Sequence, residues 1–403
     1  MKVKDLHELM ATVHKKAPFA VMTQVVMRGV IGQDFNRVFE ECRSTQYERV
    51  ATFEQIATAV ADVVLKFSEN PNQAYAAHKE SLGISLDSFY AKLKCTELAT
   101  SEGIVRMSAE RSRALQDELS FVPWEILSGY QVKSVDGNHL QATDKRQKVL
   151  WNTIDRPLPG TAVAVFDHQR RLFEEVYLLE DAHAQECSLC DRIVADLKPN
   201  DLLLGDRHFC VLEFLQGIAD AEAFFVIRHH GRFKGKLVGK RRKIGETDRG
   251  MVYEQEIRTK DGKQTMRRIT IDLNKATEDG EWQVHLLSNL PPEIDALVIS
   301  NLYLIRWEVE RGFYYVTTSL TCEVKTISHP RAALFLFSMA LLAYNVRQIL
   351  FAAHYAENDE TAVNELSHFK IATEVARHTP GLLTAIPEQD WDRYIPKTLP
   401  EIA

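Results

Sequence analysis

Asp136 and Asp206 each close a short apolar run, in QVKSVDGNHL and DLLLGDRHF, and Glu310 lies in YLIRWEVERGF. Hard carboxylate oxygens converging from three elements can hold two divalent cations and leave positions open for water and phosphate oxygens. Two Mg²⁺ ions about 3.5–4 Å apart would clamp the attacking and leaving oxygens of an in-line phosphoryl transfer. Each aspartate also has an ordinary reading, because Asp-Gly is a common turn dipeptide and Asp206 can pair with Arg207. The combination with Glu310 is more specific than any one of the three.

For these side chains to meet, the chain must bring two strand ends beneath one helix. Residues 294–320 read as that helix. Leu302, Ile305, Val309, Phe313, Val316 and Leu320 fall on one apolar stripe at helical spacing. Pro291 and Pro292 precede it and suit a helix start. Tyr303, Arg306, Glu310 and Thr317 form a second row beside the stripe. A carboxylate flanked by an arginine and a tyrosine beside a buried seam suits metal and phosphate chemistry. The same row also reads as a surface Arg–Glu pair with an aromatic neighbour.

The two strand ends belong to an α/β pattern. QVKSVDGNHL is predicted to be a strand ending at Asp136 and Gly137, and TAVAVFDHQRRLFEEVYLLE two further strands joined around 167–171. A helix near 181–196, the strand run up to Asp206, a helix near 211–219 and the strand AFFVIR follow. Residues 1–120 are predicted helical, with a helix in TFEQIATAVADVVLKF, a loop at SENPNQ and Ser101 as a candidate cap. The junction near 100–103 can be read as a helix-turn-helix, although packing alone explains it. In 229–290, the Gly- and Lys/Arg-rich HHGRFKGKLVGKRRKIGE leads into three strands, MVYEQEIRT, QTMRRITIDL and EWQVHLLSNL, read as an inserted β subdomain. Residues 330–379 are predicted helical around a loop at 357–360, and the Pro-containing tail is expected to be poorly ordered.

A chain of 403 residues with 45% hydrophobic residues has room for two or three domains with sizeable cores. A net charge of −7 means that any nucleic-acid binding must rest on locally concentrated cations. Residues 228–243 supply such a run, with eight Lys/Arg and no acid, including Lys240, Arg241, Arg242 and Lys243; a solvated loop is its plainest reading. The start MKVKDLHELM has no apolar signal-peptide core, and the six scattered cysteines suggest reduced thiols in a cytosolic setting. The apolar run at 332–344 is too short to span a bilayer and reads as buried. Cys187-x-x-Cys190 with His183, His229 and His230 nearby has no second pair at metal-ligand spacing to support a zinc site. Trp282 is expected in a core, with stacking on an unpaired base as the alternative.

The strings SVDGNHL, LLLGDRHF and YLIRWEVERGF resemble the three acidic blocks of DDE transposases of the insertion-sequence-four type. That family's signature is Tyr-x2-Arg-x3-Glu-x6-Lys, which Tyr303, Arg306 and Glu310 match. RVFEECRSTQYERVATF and SFYAKLKCTE resemble the helical N-terminal region of such proteins, so the resemblance covers most of the chain. One residue departs from it: Thr317 stands where the signature has lysine, and Lys325 is the next lysine.

The resemblance implies a ribonuclease H-like catalytic core with an inserted β subdomain and flanking all-helical N- and C-terminal regions. The expected parts are an end-binding domain at 1–125, core segments at 126–228 and 291–330, the insert at 229–290 and a C-terminal helical region at 331–403. It implies Asp136, Asp206 and Glu310 as ligands of two Mg²⁺ ions (Mn²⁺ substituting), with Tyr303 and Arg306 on phosphates near the cut. It makes a DNA contact the better reading of Lys240, Arg241, Arg242 and Lys243. The expected partners are duplex DNA with terminal inverted repeats, target DNA and a second copy of the chain, with no membrane. The expected location is the cytoplasm, at the nucleoid. The rival readings are a same-fold nuclease that cuts without joining and a non-catalytic DNA-binding repressor of the same descent.

Overall fold

The computed structural model describes residues 3–140, 159–324, 327, 329–357, 367–396 and 398–403. Seven helices come first: α1 (Val3–Lys16), α2 (Pro18–Val26), α3 (Phe35–Cys42), α4 (Phe53–Val64), α5 (Pro71–Leu82), α6 (Leu86–Cys95) and α7 (Leu98–Glu118). Local chemistry sets their starts. Thr52 and Gln55 form a capping box at α4, and Asn70 and Ser85 cap α5 and α6. Pro71, expected within a loop, is the first residue of α5, where its missing N–H costs nothing. Ser101 is not a cap, and residues 100–103 are no turn. They lie buried inside α7, where a side chain on Gly103 would meet Cys42 Sγ of α3 at 2.7 Å. The residue before α7, Glu97, instead accepts backbone N–H bonds from Ser44, Thr45 and Gln46 at 2.7–2.8 Å. Against the cost of burial, these bonds hold its carboxyl down at about 2.

Strands β1 (Gln131–His139), β2 (Thr161–Asp167) and β3 (Leu172–Leu179) follow, where the sequence predicts three strands. Then come α8 (Cys190–Asp196), β4 (Asp201–Gly205), α9 (Leu212–Asp220) and β5 (Phe224–Arg228). The basic stretch expected to be a loop is a strand, β6 (Gly235–Thr247), which pairs with β7 (Gly250–Thr259) and carries two register shifts. β8 (Thr265–Leu273) and β9 (Gln283–Ser288) complete one nine-stranded sheet of order β3-β2-β1-β4-β5-β9-β8-β7-β6. β1, β4 and β5 run parallel, and the other pairings are antiparallel. Segment 229–290 therefore extends the central sheet through the β5–β9 pairing rather than folding as a sheet of its own.

The predicted single helix at 294–320 is two: α10 (Ala296–Ile305) and α11 (Trp307–Ser319), joined at Arg306. Asp295, not the prolines, caps α10 by accepting from Leu297 N at 2.7 Å. The apolar stripe divides at the joint. Leu302 packs with β4, β8 and β9, whereas Val309, Phe313, Val316 and Leu320 join the core formed by α4, α7, β2 and β3.

The centre of that core is α12 (Pro330–Glu357), which far outruns its most apolar stretch. By length and composition it could cross a membrane, but 94% of its most apolar window is buried inside the protein. The C-terminal chain is more regular than expected: α13 (His368–Ala385), α14 (Glu388–Tyr394) and α15 (Leu399–Ile402) pack back on the N-terminal helices, with Trp391 buried against Met10, Ala20 and Val21. The loop expected at 357–360 lies, beyond Glu357, outside the described residues.

Edge strand β3 is tied to α12 by one side chain. Asn345 Oδ1 accepts from Phe173 N and Asn345 Nδ2 donates to Phe173 O, both at 2.9 Å, in a fully buried setting. Asn345→Leu should leave two buried backbone groups unpaired and lower stability by about 2–4 kcal/mol. Denaturant unfolding checks this, and an unchanged midpoint would contradict it.

Candidate active site

The register of the parallel strands brings the two aspartates together. The last matched pair of β1 and β4 is Val135 with Gly205, so Asp136, on β1, and Asp206, just past β4, are the next residues along. β1 does not end there, as the sequence suggested; it runs on to His139, with Asp136 opposite Ala164 of β2. Alternation places Asp136 on the same face as Val132 and Ser134, the face that α10 and α11 cover. Asp206 opens a 3₁₀ turn, and its Oδ1 accepts from His208 N at 2.6 Å.

Arg306, at the joint between α10 and α11, links the third carboxylate to the first. Its Nη1 donates to Asp136 Oδ2 at 3.0 Å, and its Nη2 lies 2.7 Å from Glu310 Oε1. The guanidinium is buried between the Tyr303 and Trp307 rings, at 5.7 and 5.3 Å from their centroids. It is therefore no surface Arg–Glu pair. Burial first, then the nearby Glu310 and Asp206 charges, push the Asp136 carboxyl up to about 7, with Arg306 and Gly137 N–H opposing. Burial also raises the Tyr303 phenol.

Oxygen donors under mutual repulsion suit a hard divalent cation in both type and charge. Among the described residues, however, no three His, Cys, Asp or Glu side chains are grouped closely enough to hold an ion. Arg306 stands between Asp136 and Glu310 as their shared cation, so a metal held by these oxygens would have to displace its guanidinium.

Several further residues meet at this edge. Glu186, just before α8, lies over Gly137, where a side chain on the glycine would overlap its carboxylate. His208 Nδ1 lies 3.6 Å from Glu186 and 3.8 Å from Asp206, and His139 Nε2 lies 3.9 Å from Glu186. Burial, and then the like charge of Asp206, raise the Glu186 carboxyl, with His208 and His139 opposing. Arg228 ends β5, in line across the sheet with Asp136 and Asp206, and pairs with Glu281. Of these, His208 and His139, two and three residues past Asp206 and Asp136, could have been found by proximity in the sequence, and Arg228 opens the basic run.

The remaining expected residues lie apart from the triad. Trp282 is no core residue: it is 63% exposed, on the loop before β9. Lys240, Arg241, Arg242 and Lys243 project from β6. Arg241 stacks 3.7 Å from the Tyr253 centroid and pairs with Asp272 at 2.6 Å, and Arg242 pairs with Glu254 at 2.6 Å. Lys240 lines a cleft of about 720 Å³ with Arg242 and Arg267. Thr317 is exposed, and its hydroxyl donates to the carbonyls of Phe313 and Tyr314 at 3.0 Å. Arg311 pairs with Glu308 at 2.7 Å, and Lys325 lies outside the described residues.

No curated protein matches the chain. The cryo-EM structure of a piggyBac transposase synaptic complex with hairpin DNA is similar at 9% identity and a TM-score of 0.45, covering 93% of this chain and 84% of that one. So loose an overlap leaves the assignment to sequence. The family described as the transposase DDE domain matches residues 127–346, more than half of the chain and the whole stretch from before β1 into α12. Asp136, Asp206 and Glu310 all fall within that match, and the chain belongs to the transposase DDE domain family.

Proposed function

We propose that the chain is a cut-and-paste DNA transposase of the insertion-sequence-four type, with Asp136, Asp206 and Glu310 as its metal-binding carboxylates. The observation that carries this is the register placing Asp136, within β1, beside Asp206 at the end of the parallel strand β4, with Glu310 joined to Asp136 through Arg306. The order β3-β2-β1-β4-β5, with β1, β4 and β5 parallel, supports reading this part as a ribonuclease H-like core. Divalent ions bound there, Mg²⁺ or Mn²⁺, would supply Lewis-acid stabilisation of the oxygens in phosphoryl transfer. The protein's own part is to gather the carboxylates, exclude bulk water with α10 and α11, and offer Arg306 and Tyr303 to phosphate oxygens.

In this reading, duplex DNA with terminal inverted repeats is the substrate, target DNA the acceptor and a second copy of the chain the partner joining two ends. The N-terminal helices bind the element ends, and the work is done in the cytoplasm at the nucleoid. Incubating the chain with Mg²⁺, the DNA flanking its own gene and a supercoiled acceptor tests this. Joined products carrying the element ends are expected. Nicking without joining would favour the nuclease, and binding without nicking the repressor.

The β6 strand offers its unpaired cations to the DNA backbone. Arg241 and Arg242 already have carboxylate partners, whereas no ion pair is seen for Lys240 or Lys243 among the described residues. Replacing both lysines by Gln should lower the salt slope of DNA binding by up to about 2, at roughly 0.9 per phosphate contact on duplex DNA. The paired arginines should contribute less. Affinity measured across a salt series decides it, and an unchanged slope for the lysine pair would mean a merely solvated strand.

A further inference from the structure

We propose that the face of β8 and β9 opposite α10 carries a phosphate subsite, formed by His229, Arg268 and His285, that takes a backbone phosphate of the DNA flanking the cut. The proposal rests on the DNA-transposase reading above and adds to it a second contact region, on the other side of the sheet from Glu310.

His229 follows β5 directly, and its backbone N–H donates to His285 O at 2.8 Å, continuing the β5–β9 register by which Ile227 faces Leu287. The two rings thus share one face, with centroids 6.4 Å apart. Arg268 lies opposite Leu287 on the neighbouring strand, so alternation puts its side chain on that face as well. His285 Nδ1 is 3.1 Å from Thr270 Oγ1, and Arg241 approaches from β6 over the Tyr253 ring.

What marks this group is missing compensation. The carboxylate beside these side chains, Asp272, is already taken by Arg241 at 2.6 Å and by Gln283 Nε2 at 2.9 Å. Among the described residues Arg268 has no ion pair, and its Nε is buried without a hydrogen-bond partner, as is His229 Nε2. Unpaired buried polar nitrogens cost stability unless something fills them. Burial, then Arg268, lowers both histidines, His285 to about 4, so the rings are neutral at neutral pH beside a lone guanidinium. An arginine fork beside imidazole nitrogens is suited to a tetrahedral, multiply charged oxyanion. The position suits DNA in particular. His229 is one residue past the level of Asp136, Asp206 and Arg228, so DNA passing round this sheet edge can reach from the carboxylates on one face to the patch on the other.

The test uses the full chain, a random-sequence duplex of about 40 base pairs, and the slope of log affinity against log salt for the parent and for Arg268→Gln. The slope should fall by about 1, and affinity near 0.15 M salt should fall about three- to tenfold. The thermal midpoint should be unchanged or higher, since an uncompensated guanidinium is removed, which excludes misfolding as the cause. His285→Gln provides a second variant with the same expected direction. Inorganic phosphate titrated into the parent, followed through the His229 and His285 ring resonances, separates the sources of the anion. Ring shifts with inorganic phosphate but an unchanged DNA slope in the variants would overturn a DNA-backbone subsite in favour of a free-anion site. Parent DNA binding with an unchanged slope and silent rings would overturn the subsite alone. Absence of DNA binding by the parent would overturn the proposed function, and the subsite with it.

Discussion

Asp136→Asn should reduce Mg²⁺-dependent cleavage of the element ends at least about 1000-fold, roughly 4 kcal/mol in barrier, while end binding stays within about threefold. The amide keeps the side chain's size and one oxygen but removes the charge that a divalent ion needs. Binding is spared because Asp136 is largely covered by Arg306 and α11 and contributes no cation to DNA. A second readout separates lost chemistry from lost folding. The Asp136 carboxyl sits at about 7 in the folded chain against an ordinary value of 3.8. Below about pH 4 both the folded and unfolded states hold the proton, so the residue contributes nothing to pH-dependent stability there. As pH rises to about 7 the unfolded chain ionises first, and the folded state loses stability that it does not regain at higher pH. The asparagine variant should therefore melt higher than the parent at pH 8 and together with it near pH 4. Melting below the parent at pH 8 would contradict this electrostatic picture of the site.

Arg306→Ala should cost at least about tenfold in cleavage, near 1.4 kcal/mol, and it should do so in a characteristic way. The guanidinium is the shared cation of Asp136 and Glu310, at 3.0 and 2.7 Å. Under the proposed function, its loss removes a phosphate donor and also a competitor for the place a metal would take. The maximal rate should fall while the Mg²⁺ concentration needed for half of that rate falls too. Removing one partner of a buried ion pair should also destabilise the fold, by about 3 kcal/mol. Thr317→Lys on the same substrate is the comparison. The threonine hydroxyl is bonded to its own helix and exposed, so an added lysine should change cleavage by no more than a fewfold. A large gain from the lysine with little loss from Arg306→Ala would mean that a phosphate contact is missing rather than carried by Arg306.

The legible parts of this chain were those written in short-range pattern. Short runs rich in β-branched and aromatic residues marked β2 and β3 and the hairpin between them, and the apolar runs ending at Asp136 and Asp206 marked two more strands. The β6 strand was hidden because lysine, arginine and glycine dominate it. It is held by pairing to β7 and by arginines that find Glu254 and Asp272 across neighbouring strands, none of which is a local property. The break at Arg306 was invisible for a similar reason. The helical period runs through it, and only the tertiary demand that α10 cover β8 and β9 while α11 joins the α12 core divides the stripe. Glu186 and the group around Arg268 depend on residues distant in sequence meeting at one sheet edge. The regular tail was hidden in the same way, because its order depends on Trp391 finding α1 and α2 at the far end of the chain.

If Asp136, Asp206 and Glu310 are metal ligands of a DNA-cleaving centre, a change of donor softness at Asp206 should change which metal supports cleavage. Asp206→Cys replaces a hard oxygen by a thiolate, which Mg²⁺ binds poorly and the softer Mn²⁺ tolerates better. With element-end DNA, the variant should be inactive in Mg²⁺ and recover a measurable fraction of the parent's cleavage in Mn²⁺, whereas the parent works in both. Cleavage by the variant equal to the parent's in Mg²⁺, or a loss that Mn²⁺ does not relieve at all, would contradict the account.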